Sequence, residues 1–119
     1  MGIAMQQSQV PQAVQACHEL AAWLIPQLEK FPRTHRFTLG DRIESKLFDT
    51  LEQLLQAAYS RQKREALKAA NLQLEMLRHF WRLAHELKVV PLKRYEQGAK
   101  QMDGLGRQVG GWLKSRAKE

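Results

Sequence analysis

A chain of 119 residues, 44% apolar and 26% charged, has the size and composition of one globular domain and is too apolar to stay disordered. Its longest apolar runs, such as Leu20 to Ile25, are far too short to cross a bilayer, and Met1 to Gln6 lack the basic start of a signal peptide. The single cysteine, Cys17, excludes an internal disulfide and fits a reducing compartment, so the expected location is the cytoplasm. The net charge of +7 is unevenly shared: residues 1–60 carry a balance of −1 and residues 61–119 a balance of +8.

In chain order, four segments repeat apolar residues at spacings of three and four. The first holds Val14, Cys17, Ala21, Leu24, Leu28 and Phe31. Pro26 falls inside it, where it removes a backbone bond to Ala22 and predicts a kink. Phe31-Pro32-Arg33 interrupts that stripe, and Pro32 suits the first turn of a second helix carrying Ile43, Leu47, Leu51, Leu54 and Ala58. The polar run Ser60 to Lys63 predicts a short turn.

The third segment holds Leu67, Ala70, Leu74, Leu77, Trp81 and Ala84, and Lys88-Val89-Val90-Pro91 should end it, because the residue before proline avoids helical angles. The fourth holds Leu92, Tyr95, Ala99, Met102, Gly106, Val109 and Leu113. It also contains Gly98, Gly104, Gly106, Gly110 and Gly111, each costing about 1 kcal/mol relative to alanine. Tertiary contacts must hold such a helix, and glycines would let a neighbouring backbone approach closely. No segment alternates with period two. The expected fold is all-α: an antiparallel up-down-up-down four-helix bundle with helices of about 20–25 residues.

The third helix has a second apolar stripe, Leu72, Met76, Phe80, Leu83 and Leu87. Two readings stand: a wide buried face touching two neighbours, or a seam against another subunit that would take in Leu72, Met76, Phe80, Leu83 and, from the fourth helix, Trp112.

The cations are also ordered. Lys93, Lys100, Arg107 and Lys114 recur at every seventh position, and seven residues drift only about 20° around a helix, so they form one stripe, flanked by Arg94. On the third helix Arg64, Lys68, Arg78 and Arg82 share a polar stripe, and the preceding turn adds Arg61 and Lys63. Glu96 and Asp103 stand four residues before Lys100 and Arg107, the favourable order for local pairs, so they are expected to neutralise part of the fourth-helix stripe and leave Arg78 and Arg82 freer. Solvated faces account for single cations. For the whole surplus, a polyanion bound through phosphates, with little reading of bases, is the better account.

Aromatic residues are few, and Trp81 and Tyr95 fall on apolar stripes, so base stacking is not indicated. There is no phosphate loop, nucleophile elbow or HExxH, and His79 and His85 are about 240° apart around a helix. No enzyme, metal or cofactor is implied.

Two blocks carry a resemblance: Phe31-Pro32-Arg33-Thr34-His35-Arg36-Phe37-Thr38-Leu39-Gly40-Asp41-Arg42-Ile43 and Leu105-Gly106-Arg107-Gln108-Val109-Gly110-Gly111-Trp112-Leu113-Lys114-Ser115. With the Pro26-containing first helix and the cationic third helix, they resemble the accessory variability determinant proteins of diversity-generating retroelements, part of a wider group of bacterial four-helix-bundle proteins. The resemblance implies a homo-oligomer, a pentameric ring, that binds RNA or DNA and associates with the retroelement reverse transcriptase in mutagenic copying of a template into cDNA. Matching basic positions are Arg33, Arg36, Arg78 and Arg82. It has no counterpart for the first dozen residues, so residues 1–12 are expected to be a flexible tail before one domain over 13–116. A scaffold for an acidic protein partner, or an RNA-associated bundle unconnected with reverse transcription, remain as alternatives.

Overall fold

The computed structural model describes residues 10–116. The expected tail therefore lies mostly outside the described residues, though its last residue, Gln12, already belongs to a helix. The elements are α1 (Gln12–Glu29), α2 (Arg33–Arg36), α3 (Leu39–Tyr59), α4 (Arg64–Glu86) and α5 (Leu92–Ser115), with no strand among the described residues. Each long helix packs on the next, α1 on α3, α3 on α4 and α4 on α5, and α5 closes back on α1. The result is a four-helix bundle. Along α4 and α5 the contacts run in opposite chain directions: Trp81 reaches Tyr95, and the earlier Arg78 reaches the later Asp103. Gln27 near the end of α1 meets Arg94 near the start of α5. Both fit the up-down-up-down order. Among the described residues no helix is long and apolar enough to cross a membrane.

Each break has a local cause. Pro11 and Pro91 precede the first residues of α1 and α5, where a missing N–H is harmless. Pro32 does open a helix, but only the single turn of α2; Thr38 leaves helical angles at φ −116°, ψ −84° before α3 begins. The expected second helix is thus split, and the break lets Phe31 and Leu39, on either side of it, both turn into the core. After α3, the Lys63 ammonium donates to the carbonyls of Ala57 (2.8 Å), Ala58 (3.4 Å) and Ser60 (2.8 Å), closing the helix end.

The end of α4 is made before Pro91 is reached. Lys88 adopts the left-handed φ of 62°, its amide donates to His85 O at 2.9 Å, and the Val89 amide donates to Ala84 O at 2.9 Å. The turn buries Val89 and Val90, and His85 Nδ1–H donates to Val90 O at 3.0 Å. Pro26, where a kink was expected, lies inside α1 on its exposed side, and the helix runs on to Glu29.

The core follows the apolar repeats most closely on α4, where Leu67, Ala70, Leu74, Leu77, Trp81 and Ala84 are all buried. On α1, Leu20 is buried and Ala21 only partly so. On α3 the buried positions include Thr50 and Ala57, while Leu51 and Ala58 sit at the core's edge. Thr50 is accommodated because its hydroxyl donates to Lys46 O at 2.7 Å. Cys17 is fully buried, and desolvation pushes its thiol up to about 12, leaving an inert, neutral core residue.

On α5 the buried residues are Gly98, Met102, Leu105 and Val109. That seam is turned by about 60° from the expected one, because α5 faces both α4 and α1. Leu92 is consequently exposed. The close approach expected at the glycines occurs at Gly98, and it is made by a ring rather than a backbone. A Cβ there would stand 2.6 Å from Trp81 Nε1 and 3.0 Å from Trp23 Cζ3. Trp81 Nε1–H donates to Tyr95 O at 3.0 Å, and Trp23 meets Trp81 edge-on with centroids 5.9 Å apart. His85 stacks on Tyr95 at 4.9 Å, completing an aromatic knot between α1, α4 and α5.

Candidate nucleic-acid interface

Lys93, Lys100, Arg107 and Lys114 are all exposed. Helical geometry places them about 140–180° from the buried Gly98, Met102, Leu105 and Val109, so the stripe is the outward face of α5. Over 21 residues it is about 31 Å long, close to one turn of a duplex.

The acids do not sit where their spacing suggested. Glu96 makes no ion pair with Lys100, and Asp103 leaves Arg107 and reaches across to Arg78, with Oδ1 2.8 Å from Nη2. The Arg78 guanidinium crosses above Gly106, where a Cβ would stand 3.4 Å from Nη1, and its Nε lies 3.5 Å from Glu75. Arg82 pairs with Glu86 at 3.1 Å and Lys68 with Glu65 at 3.5 Å. The expectation that α5 is the neutralised helix and that Arg78 and Arg82 are the freer cations is therefore reversed. A carboxylate on a helix surface chooses among all neighbours in space, and across the α4–α5 groove Arg78 is the nearer one.

The other basic positions fall into different settings. Arg33 and Arg36 are exposed on α2, with the Arg36 guanidinium 5.6 Å from the Phe37 ring centroid. Arg61 is exposed in the α3–α4 turn, where Lys63 is turned onto the end of α3, and Arg64 is half-buried at the start of α4. Arg94 is half-buried against α1: Nη1 donates to Gln27 Oε1 at 3.3 Å, and Nε is buried without a hydrogen-bond partner. Its setting is that of a strut between helices. The structure thus gathers one continuous outward row on α5 and draws most of the α4 cations into pairs.

The second apolar stripe of α4 is not interior to the chain. Leu72, Leu83 and Leu87 are 55%, 38% and 48% exposed, with Met76 and Phe80 partly covered. The wide-buried-face reading fails for the single chain. Trp112 is placed elsewhere: it lines a pocket at one end of the bundle together with Gln108, Gly111 and Arg116, and no residue of the Leu72 stripe lines that pocket. The sequence holds one signal for this spot, the consecutive Gly110 and Gly111 inside a helix. Among the described residues no three His, Cys, Asp or Glu side chains gather to hold a metal ion.

What the outward face can do is electrostatic. Separated cations on a rigid helix neutralise phosphates and release counterions, and they carry no donor–acceptor pattern for a base sequence. Comparison with protein families gives a match to the bAvd-like family over residues 12–116, from the first residue of α1 to just past the last of α5. No curated protein matches the chain.

Proposed function

As the chain belongs to the bAvd-like family, the bacterial accessory variability determinants of diversity-generating retroelements, we propose that it is a non-catalytic accessory factor that binds RNA or DNA along the outward face of α5. In this reading an antiparallel up-down-up-down bundle assembles into a homo-oligomer, a pentamer by the family resemblance, in the cytoplasm. It associates there with the reverse transcriptase and supports mutagenic cDNA synthesis. The stripe of exposed Leu72 and Leu83 with half-buried Met76 and Phe80 supports assembly, since an apolar surface of that kind is seldom left in water.

The observation that carries the reading is the row Lys93, Lys100, Arg107 and Lys114, set opposite the buried seam of α5 and free of ion pairs among the described residues. Each cation that meets a phosphate adds about 1 to the magnitude of the salt slope of the binding constant. The test is Lys100→Glu with Arg107→Glu in the full chain, read by fluorescence anisotropy of a labelled single-stranded RNA and DNA between about 50 and 200 mM salt. The double variant is expected to bind roughly tenfold or more weakly and to lower the slope by about 2, with its helical signal intact. Arg78→Glu, which removes a cation already held by Asp103 and Glu75, is expected to weaken binding less. Unchanged affinity in the double variant overturns the assigned face.

A further inference from the structure

Where α1 begins and α3 and α5 finish, the bundle end opens into a pocket of about 490 Å³, within the size range of small-ligand sites. Ala13 and Ala58 give it apolar wall, Trp112 gives it one half-buried indole, and Gln108 brings an amide to it. Two cations line the pocket: the Lys63 ammonium is already directed onto the Ala57, Ala58 and Ser60 carbonyls, and Arg116 is a solvent-exposed residue just past the end of α5. The interior therefore suits a flat, uncharged group better than a phosphate.

The pocket is open at Gly111, where a Cβ would meet no atom within 4 Å. On the helix surface Gly111 lies between Arg107, four residues before it, and Lys114, three after it, the last two members of the cationic row. Gly111, at the edge of this apolar slot, thus has two exposed cations as its neighbours along the helix surface, although neither lines the slot itself. Single-stranded nucleic acid has this complementary chemistry, with π-faced heterocycles that stack on aromatic side chains and anionic linkages on either side.

We propose that this pocket takes one unstacked nucleobase of a single-stranded nucleic acid, its ring against Trp112, with the adjoining phosphates on Arg107 and Lys114. This rests on the nucleic-acid reading of α5 and adds to it a site for the base. The Gln108 amide offers one donor group and one acceptor, so it can meet the edge of any base and the site tolerates sequence.

The test compares a short oligodeoxyadenylate with an abasic strand of the same length and phosphate number, each titrated against the full chain and against Gly111→Val. A Cβ at Gly111 meets nothing, so the variant is expected to fold, and circular dichroism with a thermal melt verifies this. The unaltered chain is expected to prefer the base-bearing strand by about tenfold. Gly111→Val is expected to remove that preference while leaving affinity for the abasic strand unchanged. Trp112→Phe, which keeps an aromatic ring of smaller area, is expected to lower the preference only in part.

Equal affinity of the unaltered chain for the two strands overturns the pocket assignment and leaves the basic face standing. So does a preference that survives in Gly111→Val. Failure of both strands to bind overturns the basic-face reading and this one with it. A change in sedimentation of Gly111→Val with no change in strand preference assigns the pocket to a second copy of the chain and overturns the proposal.

Discussion

At Gly98, on the inner face of α5, a Cβ would stand 2.6 Å from the Trp81 indole nitrogen; at Gly110 and Gly111, near the end of the same helix, it would meet nothing within 4 Å. Each glycine costs the helix about 1 kcal/mol relative to alanine. At Gly98 that cost is offset inside the chain, because the missing side chain lets Trp81 lie against α5 and donate to Tyr95 O. At Gly110 and Gly111 no neighbour in the chain offsets it. One face of α5 answers to packing within the bundle, and the other is free to answer to whatever meets it from outside.

Substitutions can break or sharpen this contrast. The largest effect is expected from Gly98→Ala. A rigid indole must shift, so an overpacking cost of about 1–3 kcal/mol and the loss of a hydrogen bond worth about 1 kcal/mol outweigh the helix-propensity gain. Urea denaturation should show a net loss of about 2 kcal/mol. Unchanged stability would mean that the Trp81 contact does not constrain the inner face. The reverse sign is expected at Gly110→Ala, where only propensity changes: a gain of about 0.5–1 kcal/mol, seen as a higher midpoint in thermal melts. A loss there would break the contrast by showing that the outer face is packed after all.

The smallest effect should come from Asp103→Asn, at the border between the two faces. The pair with Arg78 is roughly half-exposed, so less than about 1 kcal/mol should be lost, and the loss should vanish in high salt. Released from Asp103, Arg78 should add slightly to nucleic-acid affinity at low salt in an anisotropy titration. A drop in affinity would show that Asp103 orders the interface and does not merely occupy a cation.

Legibility differed from helix to helix for physical reasons. The α4 core stripe could be read residue by residue, because Leu67, Leu74, Leu77 and Trp81 are large and their spacing leaves one choice of buried face. On α5 the candidate core residues included small ones such as Ala99 and Gly106, whose burial is decided by the neighbours. There the seam shifted to Gly98, Met102, Leu105 and Val109. The split of the second helix was also hidden. Phe31-Pro32-Arg33 announced a break, yet nothing in Phe37-Thr38 announced the next one, which exists because Phe31 and Leu39 must both reach the core.

The cationic row on α5 could be read before any fold was known, since a seven-residue repeat keeps its members on one side of any helix. Its partners could not. Asp103 stands in the favourable local register with Arg107 and goes to Arg78 instead, and Trp112 joins Ala13 and Ala58 from α1 and α3 at a pocket.

By itself, then, the sequence determined four amphipathic helices, their order, the buried face of α4 and the outward row of positive charge. These depend on periodicity along one chain segment, which is a one-dimensional property. The rotation of α5, the pairing of its acids, the place of Gly98 under an indole and the pocket beside Gly111 were decided only in the tertiary structure. Each depends on which side chains from distant segments arrive at the same point, and spacing along the chain carries no record of that.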